Sequence, residues 1–175
     1  MKRFTVVIVA IFLFAGIGCS TKFAAKPVAD MPSAKLETGH AVYIALAADG
    51  RYSEQTYRGT GAQVSGYVAQ TLSSYTSSSQ VDNEIRTLEA SLQNAKEANA
   101  KYLFVPLITH WEPRAAAWSG RPTRVNIELR VYDVESGQPV AGNSSSVRGR
   151  IVTVASQHAH ELAREIVTTL VNSFY

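Results

Sequence analysis

The residues best suited to recognition or chemistry lie within one stretch between positions 110 and 122. The candidate residues are His110, Trp111, Glu112, Arg114, Trp118 and Arg121. Tryptophan and arginine are enriched at binding hot spots, and loops between rigid elements often carry function. We therefore predict that this stretch is a loop between two strands and forms a contact surface. The alternative is that the two tryptophans cap the open end of a sheet while the arginines are solvated.

Two other interpretations of the same stretch follow from the residue types. On a strand, positions two apart share a face, so His110 could act as a base with Glu112 as its partner in a hydrolase. Because neither a nucleophile nor an oxyanion hole can be assigned, we expect no enzyme and name no catalytic residue. As a third interpretation, Trp111 and Trp118 could stack against a small ligand.

The glycines around Thr60 invite comparison with phosphate-binding loops. A dinucleotide fingerprint that starts at Gly59 requires glycine at position 64, which is Val64. A P-loop requires Lys and then Ser or Thr where Tyr67 and Val68 stand. We predict a turn with Thr60 as the N-cap of a helix.

Two histidines near the carboxyl terminus invite comparison with a metal site. His158 and His160 precede Glu161, but residues two apart on a helix point away from each other, and paired ligands are spaced by four. We expect solvated histidines and no metal site.

The amino terminus carries the chemistry that the sequence specifies best. A basic start, Lys2-Arg3, precedes an uncharged run and small residues that end at Cys19, which is the only cysteine. The run is shorter than the roughly 20 apolar residues of a spanning helix and is typical of a secretory signal peptide. Small residues before a cysteine resemble the lipobox of bacterial lipoproteins, although Gly16 stands where leucine is usual. We predict that residues 1–18 are removed and that the Cys19 thiol receives diacylglycerol.

This modification would determine where the protein resides. Two or more acyl chains hold a protein stably on a membrane, whereas one chain does not, and a mature lipoprotein carries a diacylglycerol and an N-acyl chain on its cysteine. Ser20 follows where an aspartate would signal retention in the inner membrane. By resemblance to that sorting rule, we expect a lipid anchor on the periplasmic side of the outer membrane. No other cofactor is expected.

Composition limits the remaining possibilities. Removal of 18 residues from 175 leaves 157, which suits one domain. Lys2 and Arg3 account for two of the three net positive charges, so the mature chain is nearly neutral. With no remaining Lys/Arg cluster, we expect no nucleic-acid partner. With Cys19 acylated, no disulfide can form.

Hydrophobic periodicity predicts the elements of the domain. Residues 19–39 lack a sustained apolar period, so we predict a lipidated terminus and flexible tether before a single domain at 40–175. The predicted strands cover residues 41–47, 80–82 (weak), 102–109 with an edge or bulge at Pro106, 125–131, and 140–152 with Ser144–Ser146 on the solvated side. The predicted helices run from Gly61 to Tyr75, from Ile85 to Ala95 with an end at Asn99, and from Leu162 to Phe174. The order β-α-(β)-α-β-β-β-α predicts an α+β, α/β-like fold with a mixed sheet of four to five strands and three helices.

Several motifs together resemble a known family. The motifs are Val42-Tyr43-Ile44-Ala45-Leu46, Asp49-Gly50-Arg51-Tyr52, Tyr57 with Gly59 and Gly61, Tyr102-Leu103, His110-Trp111-Glu112, Trp118-Ser119-Gly120-Arg121-Pro122, Leu129-Arg130-Val131-Tyr132-Asp133 and Ser136-Gly137. They resemble small proteobacterial lipoproteins that contain domain of unknown function 4823, over roughly residues 40–175. The resemblance implies no particular activity. The element order is also similar to the sheet domains of the curli-secretion channel lipoprotein and the penicillin-binding-protein activator lipoproteins, which is an analogy of fold alone.

These observations converge on one functional expectation. We expect a membrane-anchored, non-catalytic module that binds another envelope component, either a protein or a part of the cell wall. The alternatives are an envelope hydrolase centred on His110 and Glu112, and a small-ligand module that uses Trp111 and Trp118.

Overall fold

The computed structural model describes residues 23–113, 121–149, 151–152, 155–156 and 158–175. Its main strands are β1 (Lys26–Pro27), β2 (Ala41–Ile44), β5 (Ser78–Val81), β6 (Tyr102–Glu112), β7 (Arg124–Asp133) and β8 (Pro139–Arg148). Two short pairs are β3 (Gly50–Tyr52) with β4 (Gln55–Tyr57), and β9 (Ile151–Val152) with β10 (Ala155–Ser156). The helices are α1 (Thr60–Leu72), α2 (Leu88–Glu97) and α3 (Ala159–Asn172).

The six main strands form one mixed sheet in the order β1-β8-β7-β6-β2-β5. β2 runs parallel to β5 and β6, while β6, β7, β8 and β1 pair antiparallel. The predicted α+β class is confirmed, and the described residues contain the three predicted helices. The mixed sheet has six strands, instead of the four to five predicted, because the short β1 joins its edge.

Helices pack on both faces of this sheet, but they cover them unequally. α1 and α3 pack on one face, here called the inner face, and bury the largest apolar cluster, which includes Phe104, Ile127 and Leu170. α2 packs on the opposite, outer face around Tyr43, Leu103 and other residues near β2. The outer face of β7 and β8 lies beyond α2.

Strand β7 shows why the sequence predicted the inner face well. Val125, Ile127, Leu129 and Val131 are buried on that face, and the polar residues between them point outward. An antiparallel strand with one covered face requires this alternation. The same register corrects the prediction for β8, because Ile127 faces Ser145 and places that serine on the inner face, 2% exposed.

The described part of the predicted tether differs from expectation, since it packs on the sheet. β1 pairs with β8, and Leu36 donates a backbone hydrogen bond to the Phe174 carbonyl at 2.9 Å. The Val28 and Leu36 side chains are buried. We call residues 23–36 the N-terminal strap. It holds to the sheet through backbone pairing and isolated apolar contacts, which produce no periodic pattern in the sequence.

The start of α1 corrects the predicted helix cap. Gly59 is the N-cap, with φ 83°, and Thr60 lies in the first turn. The Thr60 hydroxyl donates to the Tyr57 carbonyl at 2.7 Å and accepts from the Gly50 amide at 2.8 Å. The Gly61 amide donates to the Asp49 carboxylate at 2.9 Å, so a residue distant in sequence satisfies this helix end.

The second helix begins later than its periodicity predicted. Thr87 is the N-cap and accepts a hydrogen bond from the Ala90 amide at 3.3 Å. Ile85 therefore lies outside α2 and is 62% exposed. The predicted end at Asn99 agrees with the structure, where this residue has φ 54° just beyond the helix.

The packing of the strap can be tested at Leu36. We expect Leu36→Ala to lower the free energy of unfolding by about 2 kcal/mol, because it removes buried methyl groups at the margin of the core. Thr38→Ala, at an exposed position nearby, should change it by less than about 0.5 kcal/mol. Urea unfolding of the full chain in nonionic detergent measures both. Equal effects of the two substitutions would contradict the packing of the strap.

Candidate functional site

One extra residue in β6 determines which side chains face each side of the sheet. Residues up to Ile108 pair in a continuous register with β7, and the register then resumes with His110 opposite Asn126. Thr109 is therefore a β-bulge, three residues after the position predicted at Pro106. Because side chains alternate along a strand, the insertion turns Trp111 to the inner face and His110 to the outer face.

Trp111 belongs to the core. It is 3% exposed and lies within the apolar cluster of the inner face. A Cβ atom at Gly50 would lie 2.6 Å from the Trp111 Cβ, so β3 crosses this side chain at a distance that only glycine permits. The indole is thus not placed as an open stacking platform, and residues 110–112 belong to β6 instead of the predicted loop.

His110 and Glu112 meet on the outer face, as their spacing predicted. The His110 Nε2 lies 3.1 Å from a Glu112 carboxylate oxygen, and the Arg124 Nε lies 4.0 Å from the same oxygen. Glu112 is 5% exposed, while the His110 side chain is 37% exposed. The ring of Tyr52 stands edge-on to His110 at 5.5 Å between centroids. A buried carboxylate thus lies between an imidazole and a guanidinium at the end of the sheet.

This geometry suits charge pairing better than proton relay. A hydrolytic dyad needs a nucleophile within hydrogen-bond reach of its base. Ser146 is the hydroxyl in line with His110 across the sheet, but it lies two strands away, which is about 10 Å. Within the described ranges, no hydroxyl group hydrogen-bonds to His110.

The other predicted site residues are only partly placed. Arg121 is exposed just before β7 and interacts with its surroundings. Arg114, Trp118 and Cys19 lie outside the described residues.

A groove on the outer face adjoins His110. It has a volume of about 370 Å³ and is lined by Thr109, His110, Arg124, Val125, Asn126, Ser146, Val147 and Arg148. Arg124 and Arg148 are not among the site residues predicted from the sequence. Arg124 could have been found, since the alternation of β7 places it on the polar face. The position of Arg148 opposite Arg124 depends on the register between β7 and β8, and no local sequence pattern indicates that register.

Farther along the outer face, charged groups are paired. Arg130 donates to Glu128 on the same strand, and its Nη1 lies 3.1 Å from Asp30 of the strap. The hydrogen bond to Glu128 raises the pKa of the Arg130 guanidinium. Leu107 lies beside this network and is 38% exposed. The outer face therefore combines paired charges with a partly accessible apolar side chain.

A second polar cavity of about 470 Å³ lies between β5 and α2. Its buried Asp82 accepts from the Arg86 Nε at 3.1 Å and from the Asn83 amide at 2.8 Å. Burial raises the pKa of the nearby Tyr43 hydroxyl. Asp82 therefore has hydrogen-bond partners within this cavity, and these bonds stabilise the loop that precedes α2.

The side chains of His158 and His160 lie together, whereas residues two apart on a helix would point away from each other. Their rings stack at 5.4 Å between centroids with 6° between planes. This is possible because His158 is the extended N-cap of α3 and lies outside its helical turns. Among the described residues, no group of three His, Cys, Asp or Glu side chains could hold a metal ion.

The family can be assigned from the chain itself. A model described as a domain of unknown function, DUF4823, matches residues 34–173. The chain belongs to this family. No curated protein sequence matches it significantly. In the described part of the chain, no helix has the length and apolar character needed to cross a bilayer.

Solved structures share the fold at low sequence identity. A PelC dodecamer from Paraburkholderia phytofirmans is similar with a TM-score of 0.67 and 16% identity, covering 87% of this chain and 97% of that one. Lipoprotein GNA1162 from Neisseria meningitidis is similar with a TM-score of 0.51 and 11% identity, covering 76% of this chain and 96% of that one. At these identities the likeness establishes the fold alone.

Substitution can distinguish the structural role of Trp111 from the exposed position of His110. We expect Trp111→Ala to lower the free energy of unfolding by about 3–5 kcal/mol, because it empties a filled volume in the core. His110→Ala should cost less than about 1 kcal/mol, since its ion pair is partly solvated. Chemical unfolding measures both. A stable Trp111→Ala variant would contradict the assignment of this indole to the core.

Proposed function

We propose that this protein is a lipid-anchored accessory module of the bacterial envelope, attached through Cys19 to the periplasmic side of the outer membrane. In this role it is non-catalytic and binds another envelope component. The observation that carries the proposal is the contrast between the two faces of the sheet. α1 and α3 cover the inner face, whereas the outer face of β7 and β8 extends beyond α2.

The contents of the outer face favour binding over catalysis. Its acidic groups, Glu112 and Glu128, are engaged by neighbouring basic side chains, and Leu107 supplies accessible apolar surface. Protein contact surfaces combine an apolar centre with a polar, solvent-accessible rim. Within the described ranges no hydroxyl group hydrogen-bonds to His110, which agrees with this interpretation.

The strap supports a position close to the bilayer. β1 runs antiparallel to β8, with Lys26 opposite Ser144, so residues before Lys26 lead toward the end of the sheet that contains Arg148. Only three residues separate Cys19 from Phe23, and the two Cα atoms can lie at most about 14 Å apart. An acylated Cys19 therefore holds the domain next to the membrane with that end of the sheet nearest to it.

The comparisons support the same role. A protein named a lipoprotein, GNA1162, has this fold, and the protein named PelC assembles it into a dodecamer. Both examples show that the fold can belong to a lipoprotein and can offer contact surfaces. We propose that the outer face is such a surface here.

The anchor can be tested by mass and by metabolic labelling. We expect the protein purified from its host to begin at Cys19, to carry the mass of its acyl chains, and to incorporate an alkyne analogue of palmitate. Cys19→Ser should abolish the label, because an alcohol does not replace the thiol in the transfer. Lys22→Ser, a control three residues away, should keep it. An unlabelled wild-type protein, or a mature terminus elsewhere, contradicts the anchor.

The contact surface can be tested by crosslinking in intact cells. A photoreactive amino acid at position 107 should crosslink to a second polypeptide or to cell-wall material, because this position is accessible on the outer face. The same amino acid at position 62, which is exposed on α1, is the matched control. A product that contains two copies of this chain would identify self-assembly as the contact. Equal crosslinking at both positions would contradict a special role for the outer face.

A further inference from the structure

We propose that the groove between His110, Arg124 and Arg148 binds the phosphate of an anionic phospholipid headgroup. The proposal deepens the proposed function and rests on it, because the headgroup is within reach only if the chain is anchored. The groove itself is a property of the sheet and can be tested without the anchor.

The first argument is the opposition of two like charges. Arg124 and Arg148 are direct cross-strand partners on β7 and β8, and both side chains point to the outer face. Like charges placed directly opposite each other on a sheet are destabilising. An anion between them removes this repulsion, so the folded sheet carries a cost that ligand binding relieves.

The second argument is the shortage of negative charge near this pair. Glu112 approaches Arg124 at 4.0 Å, but it lies closer to His110, at 3.1 Å. Arg148 is exposed and forms no ion pair with any described residue. The Glu112 carboxylate is thus shared between His110 and Arg124, while Arg148 beside them has no acidic partner within the described ranges.

The third argument is the chemistry of the groove. Between the arginines lie Asn126 and Ser146, which are themselves cross-strand partners, and Thr109 completes the polar wall. Guanidinium groups bind phosphate through parallel hydrogen bonds, and amide and hydroxyl groups add further donors. A volume of about 370 Å³ suits one headgroup and is too small for a folded protein element.

The fourth argument is position. The strap brings residue 23 to the same end of the sheet as Arg148, and Cys19 precedes it by four residues. Basic side chains at the surface of an anionic bilayer are attracted to its headgroups. Anchor and groove therefore point toward the same surface, and together they orient the domain on the membrane.

The test uses the full chain in nonionic detergent, which contains no phosphate. Short-chain phosphatidylglycerol, inorganic phosphate and short-chain phosphatidylcholine are each added at constant ionic strength, and amide chemical shifts are followed by NMR. We expect saturable shifts at Asn126, Ser146 and their neighbours with phosphatidylglycerol. The double substitution Arg124→Gln and Arg148→Gln should weaken binding by about tenfold or more, since it removes both charged donors. Arg164→Gln, on α3 at the other face, should keep wild-type affinity.

Thermal unfolding gives a second measurement that does not depend on spectra. Without lipid, Arg148→Gln should melt no lower than the wild type, because it removes one of two opposed charges. Phosphatidylglycerol should raise the melting temperature of the wild type and of Arg164→Gln, but not that of the double variant.

Each outcome decides the proposal. Localised, saturable shifts that disappear in the double variant support it. Shifts with inorganic phosphate but none with phosphatidylglycerol overturn the lipid headgroup as the ligand, and equal shifts in the wild type and the double variant overturn the site. A marked loss of stability in Arg148→Gln overturns the argument from opposed charges. Because lipid is added in solution, binding here together with an unlabelled Cys19 would disprove the anchor alone.

Discussion

The bulge at Thr109 is the constraint on which the end of the sheet depends. A strand exchanges its two faces when one residue is inserted, so this residue delivers Trp111 to the core and leaves His110 and Glu112 outside. The consequences extend to neighbouring elements. β3 can cross the indole only because Gly50 has no side chain, and Glu112 can neutralise Arg124 only because both side chains emerge on the outer face. The same bulge therefore determines both the packing of the core around Trp111 and the position of the Glu112 charge on the outer face.

The two faces of the sheet differ in what they contribute to the domain. Burial of apolar side chains by α1 and α3 supplies the stability. That burial leaves the outer face of β7 and β8 free to carry charges that contribute little to folding. Ion pairs such as Arg130 with Asp30 of the strap are partly solvated, and pairs of this kind contribute little to stability. We therefore expect substitutions on this face to alter the proposed recognition with little effect on the fold.

Much of the fold could be predicted because its signals are local. The alternation in β7 identified Val125, Ile127, Leu129 and Val131 as core residues, and four-residue spacing identified α3. The candidate site was harder, because its composition depends on long-range register. No local pattern shows a one-residue bulge, so the same spacing that correctly joined His110 to Glu112 gave no sign that Trp111 is buried. The strap was missed for a related reason: an edge strand of two residues is held by backbone pairing, which is independent of side-chain type.

The strap also has a mechanical consequence. In the anchored state proposed above, any pull on the domain away from the membrane is transmitted through residues 23–36. Since the chain leaves at the end of β1, the load acts along the strand, so its ladder bonds and the buried Val28 and Leu36 resist it simultaneously. If the load exceeds that resistance, the strap slides off and uncovers the edge of β8, whose free N–H and C=O groups are a template for another strand. The strap therefore both connects the domain to its proposed anchor and covers the edge of β8. Tension on the anchor would remove the strap and expose that edge.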